Sequence, residues 1–109
     1  MRMTEQERRR GQNEVLFRAV NEQIERLEPD DGNRYVDFIC ECSSKSCMKV
    51  IHATREEYER VRATSTEFMI AVGHEQPDIE EVVARHGRFS VVEKRGEAAL
   101  VADQTDPRS

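Results

Sequence analysis

Three cysteines within eight residues carry the most evident chemistry of this sequence. Cys40, Cys42 and Cys47 form a Cys-x-Cys-x4-Cys pattern, and the chain contains no other cysteine. Thiolates spaced this closely can converge on one tetrahedral metal ion. An odd number of thiols also cannot pair completely in disulfide bonds within one chain. The pattern therefore predicts a metal site that takes its fourth ligand from elsewhere.

The fourth ligand is expected to be His74. This histidine follows Gly73 in a predicted turn at the end of an apolar segment, and such turns are good positions from which to present a ligand. His52 is the main alternative, but it lies on a predicted strand that leads away from the cysteines. Water, a partner chain or a carboxylate such as Asp37 also stays open. The predicted set is Cys40, Cys42, Cys47 and His74.

Zinc is the metal that this mixture of thiolate and imidazole ligands favours. A structural zinc ion can supply on the order of 10 kcal/mol of apparent binding free energy to folding. An iron–sulfur cluster is the alternative, because the arrangement also resembles the CDGSH iron–sulfur family. That family continues with Asp-Gly-Ser/Thr-His after its third cysteine, whereas Met48 and Lys49 follow Cys47 here.

The cysteines are predicted to surround the tip of a β-hairpin. β-forming residues predict one strand over Arg34–Cys40 and a second over Met48–Ala53. A serine-rich turn separates them, which is the usual setting of a zinc knuckle. Before the hairpin, a capping box at Thr4 and an apolar stripe predict a helix within residues 1–29. The stripe consists of Leu16, Phe17, Val20, Ile24 and Leu27.

Asparagines also lie on this helix. Asn13 and Asn21 are predicted either to face water at the boundary of the apolar stripe or to bond the cysteine hairpin or a partner's backbone.

After the hairpin, a second capping box at Thr54 predicts a helix through Arg62. An apolar run then predicts a buried strand, and the later elements are a helix, a strand and a short final helix. Their predicted bounds are Phe68–Val72, Ile79–His86 (ended by Gly87), Phe89–Glu93 and Glu97–Ala102. This order predicts one metal-stapled α+β domain over residues 1–109: a long N-terminal helix and a small mixed or antiparallel sheet with short helices over 34–102. Residues 103–109 are expected to be a flexible polar tail.

Composition narrows the classes of partner. The net charge of −5 argues against general nucleic-acid binding, which normally requires a basic surface. No apolar run is long enough to cross a membrane, and the charged N-terminus does not resemble a secretory signal. Clustered cysteines in such a chain predict a cytoplasmic location, where thiols are more often metal ligands than disulfide partners.

The chain resembles a group of small bacterial proteins that are common in actinobacteria. Their pattern has an Asn-Glu-x-x-Phe-Arg helix, Cys-Glu-Cys with a nearby Cys, a Tyr-containing helix, Gly-His-Glu and Val-Val-Glu-Lys. The matching stretches begin at Asn13, Cys40, Glu57, Gly73 and Val91. The resemblance supports His74 over His52 as a ligand, and it implies no particular activity.

We therefore predict a zinc-binding interaction or regulatory domain whose metal is structural. Its N-terminal helix would offer a surface for a protein partner or a second copy. A thiol-based or metal-occupancy sensor is the alternative, since Lys45 and Lys49 could lower the pKa of nearby thiols. A zinc hydrolase using Glu41 or Glu75 is less favoured. The sequence lacks His-Glu-x-x-His, the zinc-deaminase pattern and a glycine-rich phosphate loop.

Overall fold

A computed structural model shows an α+β fold and describes residues 5–29, 34–42, 44, 47 and 49–108. The described residues form three helices and five strands, so the predicted fold class is confirmed. The elements in chain order are α1 (Glu5–Leu27), β1 (Tyr35–Ile39), β2 (Val50–Thr54), α2 (Arg55–Arg62), β3 (Glu67–Ile70), β4 (Glu80–His86), β5 (Phe89–Lys94) and α3 (Gly96–Gln104). None of these helices combines the length and apolar character needed to cross a membrane.

The strands form two antiparallel sheets. β1 and β2 pair as the predicted hairpin, and β5 lies between β3 and β4 in the second sheet. Alternation along the hairpin turns Phe38 and Ile51 toward the core, where they are almost fully buried. Phe38 stacks on Tyr58 of α2 with ring centroids 4.5 Å apart. The core therefore lies between the hairpin, α2 and the second sheet.

The capping box that begins α2 is present as predicted. The side chain of Thr54 accepts a hydrogen bond from the main chain of Glu57, and the Glu57 carboxylate accepts one from the main chain of Thr54. These two bonds satisfy N–H groups that the first turn of a helix leaves without an internal partner. The predicted capping box at Thr4 lies outside the described residues.

The helix predicted over Ile79–His86 is wrong, because residues 80–86 form strand β4. Burial alternates along β4, and its residues pair with β5 from Glu80 opposite Lys94 to His86 opposite Phe89. A register shift between Val82 and Ala84 interrupts this pairing, as a β-bulge does. Gly87, predicted to end a helix, instead lies in the turn between β4 and β5.

α1 has the predicted position, but the face that it buries is polar. Leu16, Val20 and Leu27 of the predicted stripe are 58%, 38% and 84% exposed, whereas Phe17 is buried and Ile24 packs partly against the core. From residue 13 onward, where the side chains of α1 are described, its buried polar residues are Glu14, Arg18, Asn21, Glu22 and Glu25. Charged groups are buried in this way only when they have partners.

The partners of these groups lie far away in the chain. The Arg18 guanidinium donates to the carbonyl oxygens of Ser65 and Glu67 at 2.7 and 2.8 Å, and it lies over the ring of Phe68. Glu14 shares the buried ammonium of Lys94 with Glu80. α1 is therefore attached to the second sheet by directional contacts as well as by apolar packing.

Described residues of the C-terminal segment, which is predicted to be a flexible polar tail, make specific contacts. Asp106 is 8% exposed and pairs with the buried guanidinium of Arg62. Arg108 donates to both carboxylate oxygens of Glu22, at 2.6 and 2.9 Å. The described part of this segment, to residue 108, therefore packs on α1 and α2.

Candidate metal centre

The cysteines are positioned by the way in which the chain leaves β1. The main-chain N–H of Cys40 donates to Lys49 at 2.9 Å and extends the hairpin ladder by one bond. The next N–H, of Glu41, donates to Met69 of β3 at 2.8 Å. The chain thus passes from one sheet to the other, and Cys40 and Cys42 are both buried on the way. Cys47 is brought back by a turn in which its N–H donates to Ser44 at 3.1 Å.

His74 reaches the same place from the end of β3. Its main-chain N–H closes a turn onto the carbonyl of Ala71 at 3.1 Å. Gly73 within this turn has a φ of +86°, a backbone conformation that suits glycine far better than residues with a side chain. The His74 imidazole Nδ1 then lies 3.5 Å from the Cys47 sulfur and 3.7 Å from the Cys40 sulfur.

The four donor atoms lie close enough together to hold one metal ion. The sulfurs of Cys40, Cys42 and Cys47 and a ring nitrogen of His74 all lie within 4.8 Å of one another. Around a zinc ion with bonds of about 2.3 Å to sulfur and 2.0–2.1 Å to nitrogen, tetrahedral ligand atoms lie roughly 3.6–3.8 Å apart. The two distances between sulfur and Nδ1 fall at this spacing. The structure therefore brings together all four of the predicted ligands.

The alternative ligands lie elsewhere. His52 and Asp37 are 64% and 70% exposed on the outer face of the hairpin, where the imidazole Nδ1 and a carboxylate oxygen are 2.7 Å apart. His86, the remaining histidine of the sequence, stacks its ring on Phe89. These contacts engage the side chains away from the cysteines. Lys45, which the sensor interpretation places near the thiols, lies outside the described residues.

The surroundings of the thiols suit a bound cation. Burial raises the pKa of both the Cys40 and the Cys42 thiol, because their charged thiolate forms lose contact with water. A main-chain N–H of Ala71 donates to the Cys40 sulfur at 3.1 Å and partly opposes this effect. A metal ion would take the place of the thiol protons and compensate the negative charge of the buried sulfurs.

Glu41, between the first two cysteines, links three elements behind the site. Its carboxylate is fully buried and accepts hydrogen bonds from the Met69 main chain at 2.9 Å and from the Asn21 amide at 2.8 Å. Burial raises its pKa, and these two donors act in the opposite direction. Both carboxylate oxygens are therefore engaged within the protein, which favours a positioning role for Glu41 over that of a general base.

Of the two alternatives predicted for the helix asparagines, Asn21 follows the second and bonds the cysteine hairpin. Its amide nitrogen donates to the carbonyl of Ile39 and its oxygen accepts from the Ile39 N–H, both at 2.9 Å. Sequence reasoning did not find its bond to Glu41. The available signal was an amide side chain on a helix face that also carries apolar residues.

Comparisons with family models, curated proteins and solved structures found no match to this chain. The class of this protein is therefore described from its fold and from the arrangement of its donor atoms. It is a small α+β protein in which three thiols and one imidazole form a potential metal-ligand set at the junction of two sheets.

Proposed function

We propose that this protein is a small zinc-binding domain in which the metal has a structural role. The observation that carries this proposal is the meeting of four donor atoms, from chain segments up to 34 residues apart, within 4.8 Å. Four protein ligands complete a tetrahedral shell, as in structural zinc sites, whereas catalytic sites keep one position open for water or substrate.

The metal would cross-link the cysteine segment of the hairpin to the turn after β3, in addition to the core that the two sheets share. Cys40 and Cys42 follow β1, Cys47 belongs to the hairpin tip, and His74 follows β3 of the other sheet. The aromatic content available for a core is modest, with four Phe, two Tyr and no Trp. Metal-binding free energy would therefore add usefully to folding stability. The clustered free thiols fit a compartment, such as the cytoplasm, in which cysteines stay reduced.

Metal analysis of the purified protein tests this proposal. Protein prepared without chelators, or reconstituted with zinc, is expected to hold one zinc ion per chain. Cys42→Ser should lose most of that metal and unfold at a lower temperature, because it removes a buried ligand. His52→Ala is the matched control and should keep both properties. A wild-type protein that binds no zinc, or a Cys42→Ser variant with unchanged metal content and melting temperature, would contradict the proposal.

A sensor function is the second candidate, and the exposure of the ligands bears on it. Cys47 and His74 are partly exposed, whereas Cys40 and Cys42 are buried. An oxidant would therefore reach Cys47 first. Zinc retained during mild peroxide treatment supports a structural metal. Zinc that is released by peroxide and taken up again after reduction supports the sensor.

An interaction role would use the exposed apolar face of α1. The side chains of Leu16, Val20 and Leu27 lie on this face, away from the core. Apolar residues spaced in this way along a helix suit contact with another helix, including that of a second copy. Native mass measurement tests self-association, and Leu16→Lys should convert a dimer into monomers. A monomeric wild-type chain would rule out self-association through this face.

A further inference from the structure

We propose that metal binding is coupled to the docking of α1 through Asn21 and Glu41. Zinc at the cysteine and histidine centre would strengthen the attachment of the helix, and the attached helix would strengthen zinc binding to the same degree. This inference rests on the proposed zinc-binding function and adds to it a means of regulation.

Asn21 of α1 makes three hydrogen bonds, and each goes to a residue that is next to a proposed metal ligand in the sequence. Two of the three bonds go to the main chain of Ile39, which directly precedes Cys40. The third goes to the carboxylate of Glu41, which lies between Cys40 and Cys42. Because Asn21 is fully buried, water cannot replace these partners while the helix is docked.

Glu41 extends the same connection to the segment that carries His74. Its carboxylate accepts from the Met69 N–H at 2.9 Å, and its own N–H donates to the Met69 carbonyl at 2.8 Å. Met69 belongs to β3, and the His74 turn follows that strand. A metal that holds the cysteines against His74 would thereby also hold Glu41 where Asn21 can bond it.

α1 is sensitive to such positioning because its buried face is polar. Apolar packing tolerates small shifts, but a buried amide or carboxylate that loses its hydrogen bonds is strongly disfavoured. Among the other polar attachments of the helix, Arg18 bonds the main chain of Ser65 and of Glu67 at the start of β3, and Glu22 pairs with Arg62 of α2. Asn21 differs from them because its partners, Ile39 and Glu41, are direct sequence neighbours of ligands.

Linkage requires the coupling to be reciprocal. If docking of the helix improves zinc affinity by some factor, zinc must favour docking by the same factor. Couplings between sites typically correspond to about 5- to 150-fold. We expect Asn21→Ala to weaken zinc binding within that range, although Asn21 lies outside the ligand set.

Two variants that leave the bonds of Asn21 in place serve as controls. Gln23→Ala removes an exposed amide from the same helix and should leave zinc affinity unchanged. Thr54→Ala removes the capping box that Thr54 forms with Glu57 at the start of α2. It should lower the melting temperature without changing zinc affinity, and so it separates coupling from a general loss of stability.

Two measurements test the coupling. Competition with a chromogenic zinc chelator gives the zinc affinity of each variant, and hydrogen exchange of the α1 amides in wild-type protein, with and without zinc, reports how firmly the helix is docked. Zinc should slow exchange of amides near Asn21 about 5-fold or more. If removal of zinc unfolds the whole chain, hydrogen exchange cannot report on α1 alone. The zinc affinities of the variants, compared with that of wild type, then test the coupling. Equal zinc affinity of Asn21→Ala and wild type would overturn the coupling and leave the zinc site intact. A wild-type chain without zinc affinity would overturn both proposals.

Discussion

Replacing His74 tests whether the metal stabilises the folded chain. The three cysteines lie within eight residues, so the unfolded chain can also bring them around a metal ion. His74 is 34 residues beyond Cys40, and folding is what brings its Nδ1 to 3.7 Å from the Cys40 sulfur. A ligand stabilises a fold only to the extent that it prefers the folded state. We therefore predict that His74→Ala removes most of the zinc-dependent stability, even where some zinc binding persists.

Linkage sets the size of the effect. Free zinc at about 1,000 times Kd stabilises a folded state that alone binds it by about 4.1 kcal/mol. For a domain of this size, each kcal/mol raises the melting temperature by about 4 °C or more, so zinc should raise the wild-type Tm by roughly 16 °C. His74→Ala leaves a local three-thiolate set that binds folded and unfolded chains with similar affinity. Its zinc-dependent increase should be roughly 5 °C or less.

The assay is thermal unfolding with excess chelator and again at a free zinc concentration set by a metal buffer. His52→Ala is the matched control, because its imidazole faces Asp37 on the exposed side of the hairpin. That variant should keep the full zinc-dependent increase in Tm. The reasoning fails if His74→Ala retains the wild-type increase, or if His52→Ala loses it.

Three further substitutions test other parts of the fold by urea unfolding. Arg62→Met takes the guanidinium from two buried carboxylates and should lower the unfolding free energy by about 3–5 kcal/mol, whereas the exposed Arg60→Ala should change it by less than about 1 kcal/mol. Similar losses from both would contradict the buried network. Thr54→Ala removes the capping box and should lower the unfolding free energy by about 1 kcal/mol. Burial raises the pKa of Glu14 from 4.5 to about 7, so its contribution to stability is present below pH 4.5 and is lost as the pH rises to about 7. Glu14→Gln should flatten the pH profile over this range, and an unchanged slope would refute the assignment.

The ligand set could be predicted from sequence because its signals are local. Cysteine spacing identifies three ligands without any knowledge of the fold. His74 was identified by its position in a turn directly after an apolar segment, and the described structure places both features as expected. The capping box at Thr54 is equally local, since the two residues that form it are three positions apart.

β4 could not be predicted in the same way because its pattern fits two structures. Ile79, Val82 and Val83 lie at steps that form one face of a helix, while their β-branched side chains also suit a strand. Pairing with β5 decides the outcome. Burial alternates along β4, but the sequence Glu-Glu-Val-Val-Ala-Arg-His does not alternate between apolar and polar residues and so does not indicate a strand. This information lies in the partner strand and is not present in the segment itself.

The face of α1 shows the same dependence on distant partners. Apolar periodicity predicts that Leu16 and Val20 point inward, because charged residues are seldom buried alone. Arg18 is nevertheless 1% exposed, because carbonyl groups 47 and 49 residues later accept its hydrogen bonds. The acceptors of Asn21 are likewise supplied by the hairpin, at Ile39 and Glu41. A helix whose buried face depends on such partners cannot be oriented by its own sequence.

Because of this dependence, a metal bound by the cysteines and His74 would act on more of the fold than a local cross-link does. A helix with an apolar buried face would lose only part of its contact energy if the cysteine loop shifted by about 0.5–1 Å, and it would leave no hydrogen-bonding group without a partner. α1 instead presents the amide of Asn21 to main-chain groups beside Cys40, and hydrogen bonds weaken steeply when distance and angle change. Metal binding and the position of the helix would therefore be parts of one equilibrium, connected through the bond between Asn21 and Glu41.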